Sequence, residues 1–474
     1  MTLKKRTTKT TKTTSDLKEV YKVKFRIGEH LYESGRIDET PVFFVNSETN
    51  YPSMLPCLIV EDESWTPISP EKCGYEPYSF TKEEYEALLK KPIKTEELLD
   101  EIYECVNKYV YATEISKILI TIDILMTYAQ EHLQTIHFPF AVGETESGKS
   151  SILHLVKHLG YRCLYVEGIN KANVYNFLGM DEEATGTLAE DEVQDLYKNP
   201  EKINMYKNSY AKGSKQPVIL MGNNGSNKEQ VFYKIFCSKW FAGERIPENK
   251  GFKERLAIIY MTSGKTNGNI KKLKEEERQQ LSQLRKKLLV WKLQNANTPL
   301  HDIDSGLKQR DQELWEDFLA ITFGTKYYEK SKKVAEYYVQ QRHQNIWNSR
   351  EAWLFQACME GISDEFKVKF VDLWTKLLQK DGVEDATLGS IFSDEHGKIS
   401  KTTVSKIFQE KFLAHKIITI ETGGNGKNHQ VTYYQFDKDI CQTLYEKYHP
   451  NLPVTHPLFN DPSGQSGQST NWKN

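Results

Sequence analysis

The period of the hydrophobic pattern changes several times along this chain, and each change predicts a different kind of element. Across residues 21–85, short apolar pieces (VYKVKFRI, TPVFFVN and LPCLIVED) are broken by Gly, Pro and Asn, which predicts a small β-rich region. Across 95–134 the apolar residues Leu98, Ile102, Val106, Ile118, Ile122, Leu125 and Met126 fall at helical spacings and predict core-facing helices. Phe138–Val142, FPFAV, is then apolar throughout, the pattern of a strand covered on both faces, and an amphipathic stretch, 152–159, follows it. Further buried strands are expected at RCLYV (162–166), in GTLAEDEVQDL (186–196) as far as Asp191, at KWFA (239–242) and at LAIIYM (256–261). Short helices are expected at 172–178 and 204–212. Two β-prone runs, 218–221 and 231–236, flank a Gly/Asn/Ser loop and predict a hairpin. Strands alternating with helices place this middle region in the α/β class.

Beyond residue 264 the pattern is helical. Lysines and arginines outnumber acids from 271 to 292, as in a solvated linker helix or, equally, a DNA contact. Trp315, Phe318, Leu319 and Phe323 form a helical core stripe. Near the C-terminus, helices at 388–392 and 404–412, the second capped by Ser400 or Thr402, precede strands at 417–421 and 431–436 joined by TGGNGKNHQ. Helix, helix and glycine-tipped hairpin predict a winged helix-turn-helix, with Lys401, Thr402, Thr403, Ser405 and Lys406 opening its recognition helix and Lys427 and His429 on its wing. Seven lysines against three acids between 398 and 438 point to duplex DNA. A protein contact is the alternative.

Composition adds limits. The chain has 474 residues, more than one hydrophobic core holds, with 38% hydrophobic and 27% charged residues and a net charge of −2. The expected division is a basic tail (1–20), a β-rich domain (21–93), a helical segment (94–136), a central α/β core (137–263), a helical lid or linker (264–385), a winged helix (386–440) and a C-terminal tail (441–474). The first segment, MTLKKRTTKTTKTTSD, lacks the apolar centre of a secretory signal. No apolar run approaches the length of a membrane helix. Seven scattered cysteines without a C-x-x-C suit reduced thiols in a cytoplasm and argue against structural zinc. The tail 1–14, with Lys4, Lys5, Arg6, Lys9 and Lys12 and no acid, reads as a solubilising tail rather than a DNA arm. The β-rich domain could handle substrate or serve as an oligomerisation collar.

The chemistry centres on residues 143–151. After FPFAV comes G-x-x-x-x-G-K-S: Gly143, Glu144, Thr145, Glu146, Ser147, Gly148, Lys149, Ser150, then Ser151. Gly143 and Gly148 bracket a loop whose N–H groups must point inward at an anion, and the following helix dipole adds attraction. Lys149 would reach the β/γ-phosphates of ATP and Ser150 would hold Mg²⁺. Asp191 and Glu192 close the third presumed strand, where an Asp orients the magnesium shell and a Glu polarises water. Ala189 and Glu190 are unusual there, since two large apolar residues normally bury such a strand, and an acidic helix start capped by Asp191 is the competing account. Arg255, just ahead of LAIIYM, is placed to reach a neighbour's γ-phosphate as an arginine finger. A surface pair with Glu254 is its bland alternative.

From 138 to 261 the chain resembles AAA+ ATPases of the pre-sensor hairpin group, which includes superfamily 3 and minichromosome maintenance helicases. It is more similar still to helicase-like ATPases of archaeal and bacterial mobile elements. The matching pieces are TYAQEHLQTIHFPFAVGETESGKSSILHLV, GTLAEDE, SYAKGSKQPVILM, FCSKWFAGERIPENKGFKERLAIIYM and RDQELWEDFLAI. The resemblance implies a P-loop NTPase fold, ATP and Mg²⁺ as ligands, and a ring of subunits, possibly six, around DNA. It implies Lys149 and Ser150 as the phosphate loop, Asp191 and Glu192 as the acidic pair, Arg255 as the finger and Arg310 as a second sensor. The family hairpin grips nucleic acid in the pore, which here implies Asn223, Asn224 and Lys228, unless 222–228 is an ordinary turn. Sensor 1 stays open: strand four ends at Gly243 and Glu244, or, if VILMG were that strand, at Asn223 or Asn224. The expected function is an ATP-dependent DNA helicase of mobile-element or plasmid replication. An ATP-switched initiator and an ATP-binding scaffold are the rivals.

Overall fold

The short apolar pieces near the N-terminus do form strands, and they settle into two small sheets. β1 (Lys18–Lys22), β6 (Leu58–Val60) and β7 (Glu63–Pro67) make one. β2 (Lys24–Ile27), β3 (His30–Ile37), β4 (Thr40–Val45) and β5 (Ser53–Leu55) make the other, with β8 (Ser79–Phe80) added parallel to β3. The computed structural model describes residues 18–46, 53–68, 74–179, 185–221, 228–347, 349–381, 401–422 and 426–448. Its backbone divides into two units, residues 1–339 and 340–474.

The larger unit is built on a five-stranded parallel sheet. Its strands are β9 (Phe138–Val142), β10 (Cys163–Glu167), β11 (Thr187–Asp191), β14 (Ser238–Gly243) and β15 (Leu256–Tyr260), in the spatial order β10-β11-β14-β9-β15. Every residue of β9, β11 and β14 is buried, which is why β9 reads as an unbroken apolar run rather than an alternation; β11, with Glu190 and Asp191, is buried despite its acids. Helix α4 (Lys149–Leu159) crosses from β9 to β10, α5 (Lys171–Leu178) follows β10, and α6 (Pro200–Asn208) follows β11. VILM is not a strand of this sheet. Among the described residues β12 (Lys215–Met221) pairs only with β13 (Lys228–Lys234), in a separate antiparallel hairpin, so strand four is the KWFA segment.

The N-terminal sheets keep a small core of their own around Phe25, Tyr32, Phe43 and Val45 and also join a larger one. One hydrophobic core runs from Leu31 through α1 (Lys82–Leu89), α2 (Thr95–Tyr109), α3 (Glu114–Met126), the parallel sheet, α8 (Glu275–Gln294) and α9 (Gln309–Ala320) to Tyr338. The expected breaks at 93/94 and 136/137 are therefore crossed by continuous packing. The one division between units falls inside the stretch read as lid or linker. The residues 1–17 of the basic tail lie outside the described set.

In the smaller unit, Phe355, Phe408, Phe412, Tyr434, Phe436 and Cys441 form the centre of the core. A helix at Lys401–Lys406 widens into a π turn at Ile407–Lys411, and β17 (His415–Thr422) and β18 (Asn428–Gln435) pair antiparallel beside β16 (Lys367–Lys369). The helix expected at 388–392, Ser400 and the C-terminal tail from 449 lie outside the described residues.

A buried ionic cluster joins the parts of the larger unit. Arg162, in left-handed backbone just before β10, pairs with Glu33 of β3 at 2.6 Å, both side chains fully buried. The Tyr161 hydroxyl lies 2.8 Å from each Glu33 carboxylate oxygen. Lys292 of α8 pairs with Glu131, and Lys24 of β2 approaches Glu131 at 2.6 Å. Burial opposes the Glu131 charge, but Lys24 and Lys292 outweigh it and hold the carboxyl well below the usual 4.5. A depressed folded-state value stabilises the fold above that usual value, and the contribution is lost as the pH falls through it. Glu131→Gln should therefore cost about 3–5 kcal/mol at pH 7, because two cations lose their partner. In denaturant unfolding the gap from wild type should narrow below pH 4.5. A constant gap would mean that Glu131 is not held as an ion.

Candidate functional site

The glycine loop leaves the carboxyl end of β9 and feeds the first turn of α4. Its shape depends on close approach. A Cβ on Gly143 would stand 2.5 Å from the Met261 carbonyl oxygen and 2.7 Å from Ser147 Oγ, and the Met261 N–H is itself fixed to the Val142 carbonyl at 2.7 Å. Gly148 has φ +88° and Glu146 φ +66°, which coil the backbone around a hollow. Lys149 is buried, and its Nζ donates to the Gly143 and Glu144 carbonyls, each at 2.7 Å. Ser147 Oγ is buried with no hydrogen-bond partner among the described residues. An ammonium folded onto its own loop, an orphaned hydroxyl and a cradle that a Cβ would fill together fit an anion with several acceptor oxygens.

The acidic residues stand at the same end of the sheet. Asp191 ends β11 and is buried; one carboxylate oxygen accepts from the Glu192 N–H at 3.0 Å and the other from the Tyr165 hydroxyl at 3.3 Å. Burial and the Asp191 charge push the Tyr165 phenol up, so it stays a donor. Glu192 has φ +58°, an unusual backbone for a non-glycine residue, and it lines the cleft in front of the loop. The oddity at Glu190 has a physical answer. Its carboxylate is buried, pairs with Lys202, and accepts from the Tyr206 hydroxyl at 2.6 Å and the Ile169 N–H at 3.2 Å. The acid replaces an apolar residue because α6 supplies a matching cation and hydroxyl.

That cleft has a volume of about 450 Å³, within the range of small-molecule sites. It brings together Thr145, Glu146, Ser147, Gly148, Lys149, Ser150 and Ser151 with Glu192. Gly143, Glu144 and Asp191 do not line it: the two loop carbonyls hold Lys149 Nζ, and Asp191 is joined to Glu192 through the Glu192 N–H. Glu244, at the end of β14, accepts from the Thr145 hydroxyl at 3.0 Å. The other wall is formed by Thr266, Gly268, Asn269, Ile270 and Lys271, with Tyr109 from the end of α2. A Cβ on Gly268 would meet the Tyr109 ring at 2.6 Å, and one on Gly264 the Tyr111 ring at 2.2 Å. Those two glycines let the segment after β15 lie against α2 and close the cleft. The only sequence signal was a pair of glycines in a basic stretch.

Arg255 and Arg310 are elsewhere. Arg255 stands between α7 (Lys250–Lys253) and β15, at the amino end of that strand. β15 runs parallel to β9 with Leu256 opposite Phe138 and Tyr260 opposite Val142, so about 17 Å of strand separates Arg255 from its own glycine loop. Its guanidinium donates to the Gly251 carbonyl and lies 4.3 Å from the Tyr210 ring centre. Arg310, in the first turn of α9, lies 4.3 Å from the same ring and pairs with Glu313. Among the described residues no close salt bridge joins Arg255 to Glu254, although the Glu254 charge still favours the Arg255 cation.

Of the residues expected at nucleic acid, Asn223 and Asn224 lie outside the described residues and Lys228 opens β13. Lys401, Thr402 and Lys406 are exposed on their short helix, with Thr403 half-buried, and Lys427 is exposed just before β18. Among the described residues no group of three or more His, Cys, Asp or Glu could hold a metal ion. No helix among them is long and apolar enough to cross a membrane.

No protein-family model matches the chain, and no curated protein matches it. Among solved structures, the A-form apo structure of the NrS-1 C-terminal region is similar at 14% identity and a TM-score of 0.35, over 86% of this chain and 96% of that one. A second A-form apo structure of that region gives 12% identity and a TM-score of 0.33 over the same shares. The chemistry has to be read from this chain's own residues.

Gly143 offers the cleanest probe of the loop. Gly143→Ala should push the loop off Met261 and weaken binding of a fluorescent ATP analogue tenfold or more, about 1.4 kcal/mol. Gly213→Ala, at φ +81° with open space around it, should cost stability alone, about 1 kcal/mol. Equal affinity for Gly143→Ala and wild type would show that the loop geometry is not what binds the anion.

Proposed function

We propose that the chain is an ATP hydrolase with a P-loop core of the AAA+ type, acting on DNA as a ring-forming helicase in the replication of a mobile element or plasmid. The observation that carries this reading is the cleft at the carboxyl ends of the parallel strands, where the glycine loop, Lys149, Ser150 and Glu192 meet. Ligands of open parallel sheets bind at that edge. The order β10-β11-β14-β9-β15, with the loop strand flanked by β14 and β15, suits the same reading.

In this account Lys149 exchanges the Gly143 and Glu144 carbonyls for phosphate oxygens, and Ser147 Oγ gains the partner it lacks. Ser150 and Asp191 would hold magnesium, a hard cation that takes few protein ligands and completes its shell with phosphate and water; when bound it neutralises charge on the phosphates. Glu192, turned by its left-handed backbone into the cleft, accepts a proton from water as the new bond to the γ-phosphorus forms and the bond to the β-phosphate oxygen breaks. Arg255, too far from its own loop, is supplied to a neighbour's site, and Arg310 stands with it. In the smaller unit, the helix at Lys401–Lys406 and the β17–β18 hairpin support a winged helix that holds duplex DNA through Lys401, Thr402, Thr403, Lys406 and Lys427, while the β12–β13 hairpin serves single strands.

Glu192→Gln keeps the shape of the site and removes the base. It should bind ATP like wild type and lose hydrolysis by roughly a hundredfold or more, and single-stranded DNA should stimulate wild-type turnover. Steady-state phosphate release with and without DNA checks both. Normal hydrolysis by Glu192→Gln would remove the acidic pair from the mechanism. Hydrolysis without strand displacement would favour an ATP-switched initiator.

A further inference from the structure

Tyr210 has no part in the site so far, yet two arginines from different elements converge on its ring. Its own backbone is fixed: its carbonyl accepts from the Ile136 N–H at 2.8 Å, Ala211 bridges to Thr135, and the Lys212 N–H donates to the Gln134 carbonyl at 2.8 Å. Arg255 arrives from the junction of α7 and β15, and Arg310 from the start of α9. Helix α9 is pinned to the same backbone, because Asp317 accepts from the Gln134 N–H at 2.6 Å and the Thr135 N–H at 3.3 Å, and the Thr135 hydroxyl donates to the Glu313 carbonyl. The His137 ring adds a contact to the Leu314 carbonyl at 3.1 Å.

Both guanidinium carbons lie 4.3 Å from the ring centre, so the cations are no further apart than twice that distance. Each is attracted to the electron-rich ring face and repelled by the other. Glu313 answers Arg310, and the Tyr210 hydroxyl favours both cations, with Glu254 adding to the charge balance at Arg255, but Arg255 Nε is buried with no hydrogen-bond partner among the described residues. Burial, then the Arg310 charge, holds Arg255 below its ordinary value. Two cations held this close, one with an orphaned Nε, make a site suited to an anion.

We infer that Tyr210 is a positioning residue: its ring holds Arg255 and Arg310 as a pair aimed at the terminal phosphate of a nucleotide bound by a neighbouring subunit. The inference rests on the shared-site reading above. The residue acts through the arginines, so what it sets is their placement as charge develops, and a small misplacement there costs a large factor in rate.

The test compares Tyr210→Phe, which keeps the ring face, with Tyr210→Leu, which removes it, in the full-length protein. Tyr210→Leu should lower kcat roughly ten- to a hundredfold with KM changed less than about twofold, whereas Tyr210→Phe should stay within about twofold in both. As a readout besides turnover, the preference of the assembled protein for ADP–aluminium fluoride over ADP should fall in the Leu variant and persist in the Phe variant. If Tyr210→Leu does not melt cooperatively, Tyr210→Met fills the volume without a ring and carries the same expectation. Wild-type kcat in the ringless variant, or an equal loss in the Phe variant, overturns the positioning role. Arg255→Ala separates the two levels: if it hydrolyses ATP normally the shared-site reading fails, and if it collapses while Tyr210→Leu does not, only the role of Tyr210 fails.

Discussion

Parallel pairing of β9 with β15 is the constraint from which the rest follows. Two adjacent parallel strands begin at one edge of a sheet and end at the other. The glycine loop leaves β9 at the carboxyl edge, and Arg255 enters β15 at the amino edge, with Leu256 opposite Phe138. No side-chain rotation brings that arginine to its own loop. A site that needs both is a site between subunits, and a chain carrying them at opposite edges suits head-to-tail assembly, which closes into a ring when the rotation allows.

Helix α6 relates the two edges. Lys202 in its first turn and Tyr206 in its last hold Glu190, the neighbour of the acidic pair, and just past its end Tyr210 carries the arginines. The next element is the β12–β13 hairpin. A single short helix therefore holds the carboxylate strand directly and leads within two residues to the ring that carries the arginine pair. Its anchors are buried and polar, and such networks fix geometry when every member is satisfied.

Much of this was legible in the sequence, where local physics acts alone. FPFAV became a central strand covered on both faces and so apolar throughout, whereas RCLYV, expected to be buried, and LAIIYM lie at the two edges of the sheet and are only partly covered, and the glycine loop was readable because its conformation demands glycine. What the sequence hid was set by contacts distant along the chain. Glu190 looked like a flaw in a strand until Lys202 and Tyr206 were placed beside it. Glu33, Arg162 and Lys292, which unite regions expected to be separate, are ordinary charged residues in the sequence. Arg310 was legible as a functional arginine only through family resemblance, and its place beside Arg255 was not. The far wall of the cleft, Thr266 to Lys271, read as part of a basic linker, because its role comes from Gly264 and Gly268 lying against Tyr111 and Tyr109.

The central claim is that hydrolysis needs the glycine loop of one subunit and Arg255 of the next. Mixing Arg255→Ala with Lys149→Ala measures it directly. Each variant alone lacks one half of every interface and should be inactive, whereas a mixed assembly contains interfaces with an intact loop from the first and an intact arginine from the second. The account predicts recovered ATP turnover in the mixture, rising with the fraction of such interfaces. No recovery, with co-assembly verified by sizing, would contradict a shared site.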